Sequence, residues 1–210
     1  GLGIRFYRSR VARYVAKWVE LTDSWIAATP PGFIAADVTG RRIQNWIYAH
    51  HYFVTRNRPQ GMSPAFYGRF LLSLHEQVAH LVENLAPARN HRTLELYAIF
   101  LAAVVFPEFH AAATWREFAI TEIDRNVATD FLSDGVQCEL STDYHHIVLR
   151  NLLCIVRIAR LNEIVLPASL EGRIERALAF AMHAHNPQGR VPSFSDGDVR
   201  DYRDLLRQGF

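Results

Sequence analysis

Cysteine, one-sided charge and long apolar runs are all scarce in this chain, and each scarcity removes a class of explanation. Cys138 and Cys154 are the only cysteines among 210 residues. A disulfide framework therefore does not hold the fold. Two reduced thiols, with Cys154 in an apolar helix, are the favoured reading, although one bridge is open on paper. Net charge is only +2 with histidine neutral, too little to imply non-specific nucleic-acid binding. No apolar stretch reaches the ~18 residues of a membrane-spanning helix, because Arg, His or Glu interrupts each candidate. Neither nucleic acid nor a membrane is thus an expected partner. A Gly-rich phosphate loop, a Ser-His-Asp arrangement, Cys-x-x-Cys and His-x-x-x-His are all absent. The spacings of His145-His146 and His183-Ala184-His185 do not put two imidazoles on one helix face. No metal site and no cofactor are expected.

What remains is an apolar, helix-patterned chain. Half of its residues are hydrophobic, enough for a sizeable core, and the length suits one domain spanning residues 1–210. Apolar residues recur at helical spacing over Ile4–Leu21, Arg42–Val54, Ser63–Leu85, Asn90–Phe106, Pro107–Ala128, Tyr144–Leu161 and Ser169–His185. That makes seven helices, with a short eighth over Asp198–Gln208. Ser63-Pro64 has the form of an N-cap followed by Pro at the first helical position, and Ser169 reads as another cap. Thr29-Pro30-Pro31-Gly32 breaks the pattern, leaving a loop to Gly40. Arg56–Gly61, Asp134-Gly135 and Asn186-Pro187-Gln188-Gly189 read as turns. No period-2 strand stands out. Short connections between helices predict an all-α fold of antiparallel helical hairpins. No fixed-period repeat supports a solenoid, so a curved or toroidal arrangement is the alternative.

Two polar clusters open apolar helices. The first is Arg89-Asn90-His91-Arg92-Thr93-Leu94-Glu95, with Asn90 in N-cap position. The second runs from Asp134 to His146, about fifty residues on, and places Tyr144 and His145 in a first helical turn. Capping accounts for Thr142 or Asp143. A carboxylate, a hydroxyl, a phenol and two imidazoles so close together exceed what a helix start requires. Two such starts suggest one shared cleft.

These residues carry a resemblance. Asn90-His91 with Glu95, then Phe106-Pro107-Glu108, Trp115, Asp134-Gly135, and Glu139-x-Ser141-x-x-Tyr144-His145 are similar to the heparinase II/III-like polysaccharide lyases and their alginate-lyase-type relatives. An earlier block, Arg42 with Gln44-Asn45-Trp46-Ile47, and a late one, Gly189-x-Val191-Pro192-x-Phe194-x-Asp196-x-Asp198, also resemble that family. The resemblance covers nearly the whole chain. It implies an incomplete (α/α) toroid, of which this chain is a part. It also implies a C-terminal β-sheet domain that this sequence does not contain. A chain that opens on Gly1 reads as a piece of something longer, and the family implies a periplasmic or secreted setting.

The implied reaction is β-elimination on an acidic, uronate-containing polysaccharide. A proton leaves C5 beside the carboxylate, the 4-O-glycosidic bond breaks, and an unsaturated uronate remains. Such a site must neutralise the carboxylate, stabilise the enolate-like charge, and supply a base and a proton donor. By carry-over, Asn90 donates to the substrate carboxylate and His91 adds a hydrogen bond or positive charge. The helix N-terminus reinforces both. Tyr144 is the proton shuttle, in a direction left open. Its reference pKa is ~10, so a basic role needs nearby positive charge from His91, His145 or the helix end. His145, Glu139, Arg92 and Trp46 complete the expected substrate-binding set. Plainer roles stand beside each: Asn90 as a cap, Tyr144 as a core ring, Glu139 and Ser141 as loop anchors, and Trp46, Tyr48, Tyr97 and Trp115 as core. Heparan-type, alginate-type and capsular polymers all fit. A catalytically inactive carbohydrate-binding or scaffold module is the alternative function.

Overall fold

The computed structural model describes residues 2–55, 62–195 and 197–209. The expected turn at Arg56–Gly61 and Asp196 of the late block lie outside the described residues. Among the described residues the order is α1 (Leu2–Ser9), α2 (Arg13–Ala28), α3 (Ala36–His50), a π-helical turn (His51–Thr55), α4 (Pro64–Glu83), α5 (Arg89–Val105), α6 (Ala112–Asp130), α7 (Thr142–Leu161), α8 (Ala168–His183), β1 (Arg190–Val191), β2 (Arg200–Asp201) and α9 (Arg203–Gly209). None of these helices is long and apolar enough to cross a membrane.

The packing is two-layered. Helices α3, α5 and α7 lie side by side, each against the next, while α2 packs on α4 and α6 on α8. Successive helices alternate between the layers, so each hairpin spans the wall. This alternation is the architecture of an (α/α) toroid, and the chain forms part of one. Helix α5 sits in the middle, and residues Thr93 to Ala103 are buried on every side, as expected of a helix that meets neighbours all round. Gly40 lets α3 approach it closely: a Cβ there would lie 3.0 Å from Leu94 Cδ2 and 3.3 Å from Glu95 Cα.

Local chemistry sets several boundaries as expected. Ser63 caps α4, its Oγ accepting from the Phe66 N–H at 3.1 Å, with Pro64 at the first position. Under α4 lies an aromatic cluster in which Phe70 is fully buried. Its ring centroid lies 5.4 Å from that of Trp18 and 5.7 Å from that of Trp46. Truncating such a ring costs about 3–5 kcal/mol.

Other boundaries differ from the sequence expectation. The single helix Ile4–Leu21 is two, broken where Arg10 takes a φ of 58°. Helix α3 starts at Ala36, inside the expected loop. Helix α6 starts at Ala112 because Pro107 to Ala111 forms turns, with Phe109 N–H on Phe106 O and Ala112 N–H on Phe109 O. Asn90 is not the cap of α5: Ala88 occupies that place and makes no side-chain cap bond. Ser169 is not a cap either; its hydroxyl donates to Asp124 at 3.1 Å, and α8 starts one residue earlier. The β1–β2 pair, with Arg190 opposite Asp201, was not anticipated. Both cysteines are free thiols.

Candidate active site

The site is built where the start of α5 meets the loop that leads into α7. That loop turns at Gly135, whose φ is +89° and whose N–H bonds Leu132 O at 3.0 Å. A Cβ at Gly135 would lie 2.4 Å from the Arg176 carbonyl oxygen, so the turn rests directly on the main chain of α8. The loop then reaches Ser141, whose Oγ accepts from the Tyr144 N–H at 3.3 Å and caps α7.

His145 holds this loop down. It is 1% exposed. Its Nδ1 accepts from the Gln137 N–H at 3.3 Å and its Nε2 lies 3.0 Å from Ala177 O. Only the neutral Nε2–H tautomer satisfies both contacts. Burial drives its pKa down to about 4. His145 is therefore a structural bracket between α7 and α8, not the substrate-binding residue expected. It also brings no positive charge to Tyr144 at neutral pH.

The first turn of α5 has no local cap, and its N–H groups are met from elsewhere. Arg89 N–H donates to Asp130 Oδ2 at 2.7 Å, and Asn90 N–H donates to Glu139 Oε1 at 2.9 Å. Carboxylates suit the positive end of a helix. Asp130 is buried, and that burial raises its pKa, partly offset by the Arg89 N–H. The Asn90 side chain faces the same Glu139 carboxylate, with Nδ2 at 3.1 Å from Oε1 and 2.8 Å from Oε2. Glu139 is thus committed to Asn90 and to Gln137, whose Nε2 donates to it at 2.9 Å. It is not oriented as a sugar ligand. The helix end expected to attract the substrate carboxylate is already satisfied internally.

Two further expected ligands are engaged within the protein. The Arg92 guanidinium donates to Ala86 O at 2.7 Å and to Glu122 at 2.6 Å, tying α5 to α6. Trp46 is 9% exposed, edge-on to Trp25 at 5.3 Å, because its face of α3 turns into the aromatic cluster. Tyr97 and Trp115 are also core, whereas Tyr48 is exposed and hydrogen-bonds the Tyr97 hydroxyl.

What the structure does bring together is Asn90 with the Glu139 loop, and that loop with the Tyr144 turn. Asn90 and Tyr144 are both half-buried, and His91 is exposed in the first turn of α5. Sequence reasoning read Asp143 as a helix cap, a place that Ser141 takes, and did not single out Tyr202. The Asp143 side chain, 4% exposed, lies 3.3 Å from Arg200 Nε and accepts from the Tyr202 hydroxyl. Thr142 Oγ1 donates to Pro192 O. Pro192, Arg200 and Tyr202 thus close over the first turn of α7, where Thr142 and Asp143 are buried and the His146 ring stacks on Tyr202 at 4.4 Å, while His145 is buried against Phe131 and Phe180. The one available signal was an acidic residue in a first helical turn.

Comparison with known proteins adds the following. A family model described as "Heparinase II/III N-terminus" matches residues 1–209. A heparin-sulfate lyase of Pedobacter heparinus is 29% identical over 199 residues, covering 90% of this chain and 30% of the relative. A second heparin-sulfate lyase, from Bacteroides stercoris, is 26% identical over 223 residues, covering 93% of this chain and 33% of the relative. This chain spans about a third of the length of those curated relatives. Among solved structures, heparinase III superposes with a TM-score of 0.89 at 21% identity, over 99% of this chain and 34% of that one. The heparan sulfate lyase HepC from Pedobacter heparinus superposes at 0.78 and 24% identity, over 99% of this chain and 34% of that one.

Proposed function

The chain belongs to the heparinase II/III N-terminus family, and from that premise we propose that it is the helical part of a polysaccharide lyase that cleaves a uronate-containing polymer by β-elimination. The observation that carries this reading is the join between the two helix starts. Glu139, five residues before Tyr144, grips both the main chain and the side chain of Asn90. An amide and a phenol remote in sequence are thereby carried on one hydrogen-bonded unit. The curated relatives are heparin-sulfate lyases, which makes heparan sulfate the first substrate to try.

In this mechanism Asn90 donates a hydrogen bond to the C6 carboxylate of the uronate. That contact strengthens as charge moves onto the carboxylate when the C5 proton is removed. His91, exposed beside it, adds a second donor. The C5–H electrons form the C4–C5 double bond as the bond from C4 to the glycosidic oxygen breaks. Tyr144 delivers its hydroxyl proton to that leaving oxygen. Two features of the surroundings support the acid role: His145 is neutral, and the end of α5 is occupied by Asp130 and Glu139. Two expected supports for a phenolate are therefore spent. A group from the remainder of a longer protein, outside the cytoplasm, completes the site as the base.

The test is an elimination assay of the full-length protein on heparan sulfate, alginate and capsular uronate polymers, read by the ultraviolet absorbance of the unsaturated product. Absorbance that grows on at least one polymer supports the reading. A full-length, folded protein that yields none on any of them overturns it.

A further inference from the structure

We propose that Glu139 is a positioning residue for Asn90, fixing which way its second amide N–H points; this assignment rests on the lyase reading above. The geometry is specific. Asn90 Nδ2 lies 3.1 Å and 2.8 Å from the two oxygens of one carboxylate. Those oxygens subtend roughly 45° at the nitrogen, whereas the two N–H bonds of an amide diverge by about 120°. Both oxygens therefore share a single N–H, and the other is directed away from Glu139. Turning the amide over would set Asn90 Oδ1 against the carboxylate, two acceptors with no proton between them. The Asn90 backbone N–H sits on the same Oε1 at 2.9 Å, so main chain and side chain share one anchor.

The anchor is itself held. Gln137 Nε2 donates to Glu139 Oε1 at 2.9 Å, and the Glu139 N–H donates back to Gln137 Oε1 at 3.0 Å. The Gln137 N–H ends on His145 Nδ1, and His145 Nε2–H ends on Ala177 O. A continuous chain of hydrogen bonds thus runs from the main chain of α8, through α7 and its preceding loop, to the first turn of α5. An ionised carboxylate suits the keystone because it only accepts, and Oε1 alone meets three donors. Glutamine keeps one accepting oxygen and turns the other position into a donor. Alanine removes the anchor and frees the Asn90 amide to rotate. Glu139 touches no substrate in this scheme; it acts through Asn90.

The experiment is a double-mutant cycle in the full-length protein, with kcat and KM for elimination measured separately. Misdirecting a group by about 1 Å can cost ~100-fold, so E139A is expected to lower kcat ~100-fold while KM moves less than ~3-fold, and E139Q to recover to within ~10-fold of wild type. In an N90A background, assayed over extended incubations, E139A is expected to cost less than ~2-fold more. An E139A protein within ~3-fold of wild type overturns the assignment, as does an equal loss with and without Asn90, which marks general damage. Should E139A fail to fold, E139Q and N90A/E139Q complete the same cycle, and equal losses again overturn it. Wild-type activity without coupling sinks this assignment alone. A wild-type protein inactive on every uronate polymer sinks the lyase reading and this assignment with it.

Discussion

Helices α4 and α5 begin in different ways. Helix α4 is capped by its own sequence: Ser63 accepts from Phe66 N–H three residues on, and Pro64 has no N–H that needs an acceptor. Helix α5 has Ala88 in the cap position, and its first two N–H groups are met by Asp130 and Glu139, 41 and 49 residues away. The first start is a local event that any context would produce. The second exists only when α5, α6 and the loop into α7 are assembled. A helix start assembled from distant carboxylates is costly to build, and in return it fixes residues from separate helices relative to one another. That is what a site needs and a core helix does not.

The difference can be broken at several points. The largest effect is expected from G135A, which pushes a methyl into Arg176 O and strains a positive φ. Stability should fall by about 3 kcal/mol or more by chemical denaturation, and the α5 start should lose its remote support. Lowering pH attacks the same bracket. His145 has a folded pKa of about 4 against a reference of 6.5. The unfolded chain binds the proton first, so stability is full above pH 6.5 and is lost as pH falls toward 4, by about 3 kcal/mol. His50, held neutral by burial to a similar value beside the Tyr67 hydroxyl, contributes over the same window. H145Q should therefore flatten the stability-versus-pH slope without abolishing it; an unchanged slope contradicts the bracket role.

Smaller effects sharpen the contrast. D130A leaves the Arg89 N–H without its carboxylate and should cost about 2 kcal/mol and lower kcat, since the first turn of α5 loosens. S63A should cost about 1 kcal/mol in thermal or denaturant unfolding and leave elimination kinetics at the wild-type rate. Equal kinetic effects from the two substitutions would erase the distinction between the helix starts.

The same contrast explains what could be read from sequence. The start of α4 was legible because Ser63, Pro64 and Phe66 are neighbours. Asn90 was taken for a cap because local rules see only its position in front of an apolar run; its true partner lies beyond any local window. His145 was placed in the cleft because a first helical turn is usually half-exposed, whereas this imidazole packs between Phe131 and Phe180 with its Nε2–H on Ala177 O. Trp46 was read as a sugar platform because aromatic spacing does not reveal which face of α3 turns inward. The all-helical, hairpin architecture was legible because it depends on apolar periodicity and on Pro and Gly breaks, which are local.

We propose that Asn90 and Tyr144 act on the same sugar acid. The most direct measurement of this is the elimination rate of full-length wild type, N90A and Y144F on heparan sulfate, with thermal unfolding recorded for each. Wild type should give an unsaturated product, N90A should lose ~100-fold and Y144F ~1,000-fold, and both variants should stay folded, N90A being less stable by about 2 kcal/mol at most through its lost bond to Glu139. A folded Y144F or N90A protein that turns over near the wild-type rate contradicts the proposal.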